Sequence, residues 1–289
     1  MRLLTWNIQW GRGADGRVDL DRIVAHARQL ADFDVLCLQE VSDGYEELGG
    51  NDGSDQFAGL AQRLPGFTPV IGVATDTPHP SGRRRRFGNM ILTRLPLGPV
   101  WRHLLPWPAD ESPTLSMQRV AIEATVATPI GPVRVTTTHL EYYSARQRMA
   151  QVEQLRQLHR EAVGHARHPR PGGSADGPFD AVARGGPAIL AGDFNFQPTD
   201  AEHTRLMSPI DDATPPYRDA WTLLHGEARH PATVGVHDKV LWPGPTFSWD
   251  FVFVNADLAP RLRAVSVDAS SDASDHQPVL VELDTGGTG

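Results

Sequence analysis

The chain has 289 residues, of which 40% are apolar and 21% charged. This composition is typical of a globular protein with a sizeable core and excludes collagen-like, coiled-coil and wholly disordered chains. Its 27 basic and 35 acidic residues give a net charge of −8, which excludes a protein that coats nucleic acid through a uniformly basic surface. No stretch approaches the roughly 18 consecutive apolar residues of a membrane span, so we expect no stable membrane insertion.

The first elements alternate strand, helix and strand. An apolar run at residues 2–8 predicts a strand, and the glycines that follow it predict a loop. Residues 19–31 carry apolar side chains at helical spacing, with acidic residues at the start, which predicts an amphipathic helix. The short apolar run 34–40 predicts a buried strand that ends at Glu40, with Cys37 packed in the core.

The rest of the chain contains many short strands and one long helix. Further strands are predicted at 67–73, 89–93, 120–127, 133–139, 188–191, 249–254 and 278–282. Residues 145–163 form one apolar helical stripe, and His159 is predicted to lie on the surface of that helix. Residues 164–186 are rich in Gly, Pro, Arg and Ser and predict a mobile surface insertion, while residues 285–289 predict a disordered tail.

This order of elements predicts an α+β fold. Many short strands with a few interleaved helices suit two sheets packed face to face with helices outside. The insertion separates a helix from a strand rather than two domains, so we expect residues 1–284 to form a single domain.

Polar residues stand where the predicted strands end, and together they suggest a catalytic pocket. They are Asn7, Glu40, His139, Asp193, Asn195, Asp250, Asp275 and His276. If the strands share a pair of sheets, these side chains converge on one edge as an acidic cluster. Such a cluster requires a cation, and its oxygen donors suit Mg²⁺ or Mn²⁺. A divalent metal beside a proton acceptor and cationic donors implies phosphoester hydrolysis.

The motifs that carry these residues resemble the ordered motifs of the endonuclease/exonuclease/phosphatase superfamily, which includes exonuclease III and deoxyribonuclease I. They are TWNI at 5–8, LQE at 38–40, GNMILTR at 88–94, TTHLE at 137–141, GDFN at 192–195, WDFVFV at 249–254 and SDHQPV at 274–279. The resemblance implies a four-layer α/β/β/α sandwich of two mixed, mainly antiparallel sheets. It also implies a hydrolase that acts on phosphoester bonds through in-line attack of water.

The resemblance implies a role for each residue of the pocket. Glu40 and Asp275 are expected to hold Mg²⁺ or Mn²⁺, with Asn7 as a further metal ligand. His276, oriented by Asp250, is expected to contact the scissile phosphate. Asp193, or alternatively the Asp250–His276 pair, is expected to act as the base. Further catalytic or phosphate contacts are implied for His139, Asn195, Arg119 and Thr246.

Two departures from the family pattern stand out. Gln9 occupies a position where exonuclease III-like enzymes commonly carry an aspartate, so we expect one negative ligand fewer and a one-metal or water-completed site. The stretch from Thr246 to Asp250 is also shorter than in many relatives, which removes any substrate contact built on a longer loop.

The substrate is less well determined than the chemistry. Nucleic acid is the expected partner of a monomeric, cytoplasmic nuclease or DNA-end phosphodiesterase. The basic run 83–86 could contact a phosphate backbone or be a solvated loop. Residues that could stack on bases are Trp10, Trp107, Tyr142, Tyr143 and Trp242. A lipid or inositol head-group phosphatase is the alternative, favoured if the apolar run 104–108 is exposed beside the site. A non-catalytic binding module is disfavoured because it has no need of an acidic metal centre.

Overall fold

The computed structural model describes residues 1–110, 114–169, 183–211 and 213–286. The strands are β1 (Arg2–Asn7), β2 (Val35–Asp43), β3 (Thr68–Pro78), β4 (Arg84–Thr93), β5 (Leu97–Leu104), β6 (Val120–Thr128), β7 (Gly131–His139), β8 (Ala188–Asp193), β9 (Tyr217–Asp219), β10 (Asp250–Asn255), β11 (Leu262–Val267) and β12 (Val279–Leu283). The α-helices are α1 (Leu20–Leu30), α2 (Gln56–Arg63), α3 (Ala145–Arg167), α4 (Ala201–Met207) and α5 (Ala220–His225).

The strands form two six-stranded sheets, which confirms the predicted α+β sandwich. One sheet has the order β11-β12-β1-β2-β4-β3 and the other β5-β6-β7-β8-β10-β9. The pairs β1–β2 and β7–β8 are parallel, and the other pairings between the described strands are antiparallel. The carboxyl ends of β1 and β2 therefore lie at one edge of the first sheet, and those of β7 and β8 at one edge of the second.

Apolar side chains from both sheets form the central core, which joins the sheets face to face. Cys37 is fully buried there beside Ile91, Ile122 and Val135, and burial raises the pKa of its thiol to about 12. Its predicted role in packing is thus confirmed.

Two further apolar clusters attach the helices to the outer faces. Ile23 of α1 and Phe57 of α2 pack on the first sheet, and Val152 of α3 packs on the second. The helices cover the sheets because each presents an apolar stripe to them. None of the described helices is long and apolar enough to cross a membrane.

His159 is buried, contrary to the predicted surface position. Arg134 donates from Nη2 to His159 Nδ1 at 2.8 Å, and His159 Nε2 donates to the Pro215 carbonyl at 2.8 Å. The long helix is covered on this side by β7 and by the segment around Pro215, which the periodicity of one helix could not reveal.

The borders of the predicted insertion differ from the expectation. Helix α3 continues to Arg167, and Arg184 forms a 2.9 Å ion pair with Glu123 and lies over the Trp101 ring. Residues 170–182 of the insertion lie outside the described residues. At the carboxyl terminus, Thr285 is mostly buried and accepts a hydrogen bond from the amino terminus, so the first residue of the predicted tail is packed; residues 287–289 lie outside the described part.

Candidate active site

The polar strand ends meet at one edge of the sandwich, as the sequence predicts. Asn7 ends β1 and donates from Nδ2 to Glu40 Oε1 at 3.0 Å and to Asp193 Oδ2 at 2.9 Å. His139 ends β7 and pairs in register with Asp193, which in turn pairs with Asp250 at the start of β10. Asn7 thus joins carboxylates from both sheets.

Glu40 enters the pocket from a β-bulge rather than from a strand end. Strand β2 continues to Asp43, but between Leu38 and Val41 its register with β4 shifts. Glu40 has a φ of 60°, a left-handed conformation that is unusual for a residue other than glycine. The bulge turns this side chain toward the pocket, and such local strain is common at functional sites.

Asp275 precedes β12 and is held by two donors on one oxygen. Gln9 Nε2 and Trp242 Nε1 each donate to Asp275 Oδ2 at 2.9 Å. Gln9, at a position where an aspartate would offer a negatively charged ligand, therefore offers a hydrogen-bond donor instead. Sequence reasoning did not identify Trp242 as a partner of Asp275, because the two are 33 positions apart.

The pocket has the features of a cation site. Burial, followed by the charge of Asp275, raises the pKa of Glu40, so a cation near both carboxylates would relieve the penalty. Among the described residues, buried His139 Nδ1 and Asp250 Oδ1 have no hydrogen-bond partner. His139 Nδ1 lies 3.9 Å from Glu40 Oε1, a spacing that leaves room for an ion or water between them.

Asn7 differs from the other predicted metal ligands in what it presents. Its Nδ2 faces Glu40 and Asp193, while its Oδ1 accepts a hydrogen bond from the Gln9 backbone at 3.0 Å. In this arrangement Asn7 positions the carboxylates, and its Oδ1, which accepts one hydrogen bond, keeps a second lone pair. The carboxylate oxygens of Glu40 and Asp275 suit a hard divalent ion, and Asn7 as a further ligand stays a prediction.

His276 and Asp250 form the predicted pair. His276 Nδ1 lies 2.8 Å from Asp250 Oδ2, and both side chains are buried. Burial opposes protonation of His276, but the charges of Asp250, Asp193 and Asp275 outweigh it and raise the pKa well above its usual range. His276 is therefore a cationic donor whose other nitrogen lies 3.7 Å from Asp193 Oδ2.

Asp193 lies at the centre of the cluster. Its Oδ2 is 2.9 Å from Asn7 Nδ2 and 3.4 Å from His139 Nε2, and its Oδ1 accepts a hydrogen bond from the Asn195 backbone at 3.0 Å. Burial raises the pKa of Asp193 to about 7, although the charge of His276 opposes the rise. A carboxyl with this pKa can accept a proton near neutral pH.

The remaining predicted residues support the pocket from its sides. Asn195 has a left-handed φ of 52° and donates to the Leu140 carbonyl at 2.9 Å. Arg119 donates from Nε to Glu141 Oε2 at 3.2 Å. Burial, followed by the charge of Arg119, lowers the pKa of His139 well below its usual range and keeps this ring neutral.

Glu141 is a further buried residue beside the predicted site, and Thr246 stays a predicted phosphate contact. Glu141 is fully buried and accepts a hydrogen bond from the Tyr143 backbone at 2.9 Å as well as from Arg119. Its signal in the sequence was a charged residue two positions after a strand, in TTHLE. Thr246 lines a neighbouring pocket with His203 and His230.

An aromatic wall borders the pocket beside Asp275. It consists of Tyr142, Tyr143, Trp242, Phe247 and Trp249, with ring centroids 4.6 to 6.4 Å apart between contacting neighbours. Tyr142 and Tyr143 are exposed, and Trp242 connects the wall to Asp275 through its indole N–H. Exposed rings beside this pocket offer stacking faces.

The basic run 83–86 is neutralised by acidic neighbours. Each of its four arginines pairs with a carboxylate: Arg83 with Glu46, Arg84 with Asp76, Arg85 with Glu47, and Arg86 with both Asp43 and Asp55. Exposed pairs of this kind are weak, but they leave no net positive strip for a nucleic-acid backbone.

Comparisons with known proteins agree with this fold. The model of the "Endonuclease/Exonuclease/phosphatase family" matches residues 4–276. An endonuclease/exonuclease/phosphatase from Beutenbergia cavernae is 25% identical, over 99% of this chain and 72% of that chain, with a TM-score of 0.65. One from Bacteroides vulgatus is 19% identical, over 99% and 98%, with a TM-score of 0.68. A mannosyl-6-phosphatase from Bacteroides thetaiotaomicron is 15% identical, over 98% and 99%, with a TM-score of 0.63. No curated protein matches the chain.

Proposed function

Because the chain belongs to the endonuclease/exonuclease/phosphatase family of metal-dependent phosphoester hydrolases, we propose that it hydrolyses phosphodiester bonds at the ends or single-stranded parts of nucleic acids. The observation that carries the chemistry is the convergence of Glu40, Asp193, Asp275 and the Asp250–His276 pair in one pocket. The observation that carries the substrate is the aromatic wall beside Asp275.

The residues of the pocket divide the chemistry among themselves. A divalent ion held by Glu40 and Asp275 would supply Lewis-acid stabilisation of the phosphoryl charge. Asp193, whose pKa is raised to about 7, accepts the proton of the attacking water. His276, kept cationic by Asp250, donates a hydrogen bond to the phosphoryl oxygens, where negative charge accumulates.

Asn7 and His139 keep this arrangement in place. Asn7 fixes Glu40 and Asp193 relative to each other through its amide group. His139 is neutral, so its ring, with Nε2 3.4 Å from Asp193 Oδ2, borders this carboxylate without adding a positive charge that would make it a weaker base.

The charge distribution favours nucleic-acid ends over a long duplex. A duplex is held mainly through its phosphates, and this chain has a net charge of −8 and a basic run that is already paired with carboxylates. Base stacking requires no net positive surface and contributes about 1–3 kcal/mol per base. The exposed faces of Tyr142 and Tyr143 suit this mode.

Activity on a substrate panel tests the proposal. With Mg²⁺ or Mn²⁺, we expect cleavage of bis(p-nitrophenyl) phosphate and faster cleavage of single-stranded DNA than of blunt duplex. Tyr142→Ala is expected to raise the KM for single-stranded DNA about tenfold, and to leave bis(p-nitrophenyl) phosphate hydrolysis unchanged. Tyr142→Phe, which keeps the ring, is the matched control. Equal KM values for all three proteins on DNA would contradict stacking on this wall.

A lipid or inositol head-group substrate is the second candidate, favoured by exposed apolar side chains. Leu104 is 64% exposed and Trp107 50%, and Val240 and Leu241 are exposed on the segment that leads to Trp242. Cosedimentation with anionic vesicles distinguishes the candidates. Binding that is lost in Leu241→Ser, together with hydrolysis of inositol phosphates and none of DNA, would favour the lipid head group.

A further inference from the structure

Three side chains outside the catalytic pocket converge on one oxygen atom. His203 Nε2 lies 2.9 Å from Asp219 Oδ2, and His230 Nε2 lies 2.7 Å from the same oxygen. His203 and Asp219 are buried, and the His230 side chain is 14% exposed. The proposed phosphoester chemistry uses none of the three.

The cluster is held in a fixed geometry. Asp219 caps α5, and its Oδ1 accepts a hydrogen bond from the Trp221 backbone at 2.8 Å, which fixes the carboxylate plane. The Phe251 ring packs against both imidazoles, at centroid distances of 5.3 Å to His203 and 5.6 Å to His230. Both rings therefore present Nε2 to the same Asp219 oxygen.

These ligand atoms lie close to the spacing of a tetrahedral metal site. With bonds of about 2.0 Å to Zn²⁺, neighbouring ligand atoms are about 3.3 Å apart. The separations of Asp219 Oδ2 from the two histidine nitrogens need to open by only about 0.5 Å to reach that value. An ion would replace the two imidazole protons that now face the carboxylate.

Solvent reaches the cluster through a pocket. The pocket has a volume of about 400 Å³ and is lined by His203 and His230 together with Gln197, Thr246 and Ser248. It gives an ion a path to the two histidine side chains, while Asp219 lies behind them and does not line it. Three protein ligands and one open position are common in zinc sites.

We propose that His203, Asp219 and His230 form a second metal site, which binds Zn²⁺ or a similar late first-row ion. Two imidazole nitrogens and one carboxylate oxygen suit such an ion, whereas the carboxylate oxygens of Glu40 and Asp275 suit Mg²⁺. The two sites therefore differ in the metal that each prefers.

The site would join three separate elements. His203 belongs to α4, Asp219 ends β9 at the start of α5, and His230 follows α5. Strand β9 has three residues and pairs only with β10 among the described strands. Bound zinc would fasten these elements to β10, whose first residue, Asp250, orients His276.

Zinc binding in the presence of excess Mg²⁺ tests the proposal. We would dialyse the full chain against Zn²⁺ and Mg²⁺, then measure retained zinc by elemental analysis and the melting temperature with and without zinc. The wild-type chain is expected to retain one equivalent and to melt at a higher temperature with zinc. His230→Gln is expected to bind zinc at least about a hundredfold more weakly, since it removes a ligand. His225→Gln, at an exposed histidine of the same segment, is the matched control.

A further variant separates this cluster from the catalytic one, because the nearby ligand atoms of Asp193, Asp250 and His276 could also hold an ion. Zinc retained by His276→Ala and lost by His230→Gln supports the proposal; the reverse pattern overturns it. Absence of zinc from the wild-type chain also overturns it, leaving a hydrogen-bonded His–Asp–His cluster only. If His230→Gln does not fold, X-ray absorption of zinc-loaded His276→Ala decides, because the proposed site shows two imidazole ligands.

Discussion

The buried charge of Asp193 predicts that the substitution Asp193→Asn stabilises the metal-free protein at the same time as it removes activity. The pKa of Asp193 rises from an ordinary 3.8 to about 7, chiefly through burial. For a carboxyl with a raised pKa, the cost of ionisation is absent at low pH, grows above the unfolded pKa and is complete above the folded one. At 1.36 kcal/mol per unit, this cost is about 2 kcal/mol at pH 5 and about 4 kcal/mol at pH 8.

The neutral amide avoids this cost but introduces a mismatch. Both carboxylate oxygens accept hydrogen bonds, Oδ2 from Asn7 and Oδ1 from the Asn195 backbone, so the amide nitrogen must face one donor. A buried mismatch costs about 1–3 kcal/mol. We therefore expect Asp193→Asn to be about 1–3 kcal/mol more stable than wild type at pH 8, and within about 1 kcal/mol of wild type at pH 5.

Urea denaturation in the presence of a chelator, at pH 5 and pH 8, measures the difference. Turnover of bis(p-nitrophenyl) phosphate with saturating Mg²⁺ is measured in parallel, and a fall of about two to four orders of magnitude is expected for loss of the base. A difference in stability that does not change between the two pH values would refute the reasoning about the buried charge. Near-wild-type turnover would instead refute Asp193 as the base.

Three further perturbations address the metal, a buried histidine and a backbone contact. Glu40→Gln removes a ligand charge, so it is expected to reduce the rise in melting temperature that Mg²⁺ causes and to lower turnover. High Mg²⁺ should restore part of that turnover. If high Mg²⁺ restored the turnover of Asp193→Asn to the same degree, the two residues would not have separate roles. Burial and the charge of Arg134 lower the pKa of His159 to about 4. The free energy of unfolding of the wild type should therefore fall by about 3 kcal/mol through this group between pH 6.5 and pH 4. Urea denaturation of His159→Gln over the same pH range should lack that fall. Gly192→Ala places a Cβ 2.0 Å from the Thr138 carbonyl oxygen at a φ of 142° and should cost about 3 kcal/mol in thermal unfolding, whereas Gly164→Ala, in open space on α3, should be neutral or stabilising.

The sequence determined the architecture and most of the catalytic pocket, because both depend on patterns that are local in the chain. Apolar runs identified β1, β2, β7, β8 and β10, and the polar residues at the ends of these strands indicated where the pocket lies. When the two sheets pack face to face, these strand ends lie at the same edge of the sandwich. The chemical roles of the pocket residues came from the family resemblance, because hydrophobic periodicity indicates only where a residue lies.

Tertiary structure decided everything that depends on contacts between distant residues. The bulge that turns Glu40 into the pocket arises from the pairing of β2 with β4, and the donation of Trp242 to Asp275 arises from a loop whose path no local pattern fixes. Short elements such as β9 and α4 were not predicted, because a few residues carry too little periodicity to outweigh loop composition.

The same reason explains the residues that the sequence misassigned or passed over. His159 was predicted to be exposed because the pattern of one helix does not indicate which distant segments pack against its other faces. The sequence left open whether the run 83–86 is a phosphate contact or a solvated loop, because the carboxylate partners of its arginines are distant in the chain. His203, Asp219 and His230 are each unremarkable in the sequence, and only packing on Phe251 brings their ligand atoms together. Hydrophobic patterning acts over a few residues, whereas a site is assembled from residues that only the register of the sheets makes neighbours.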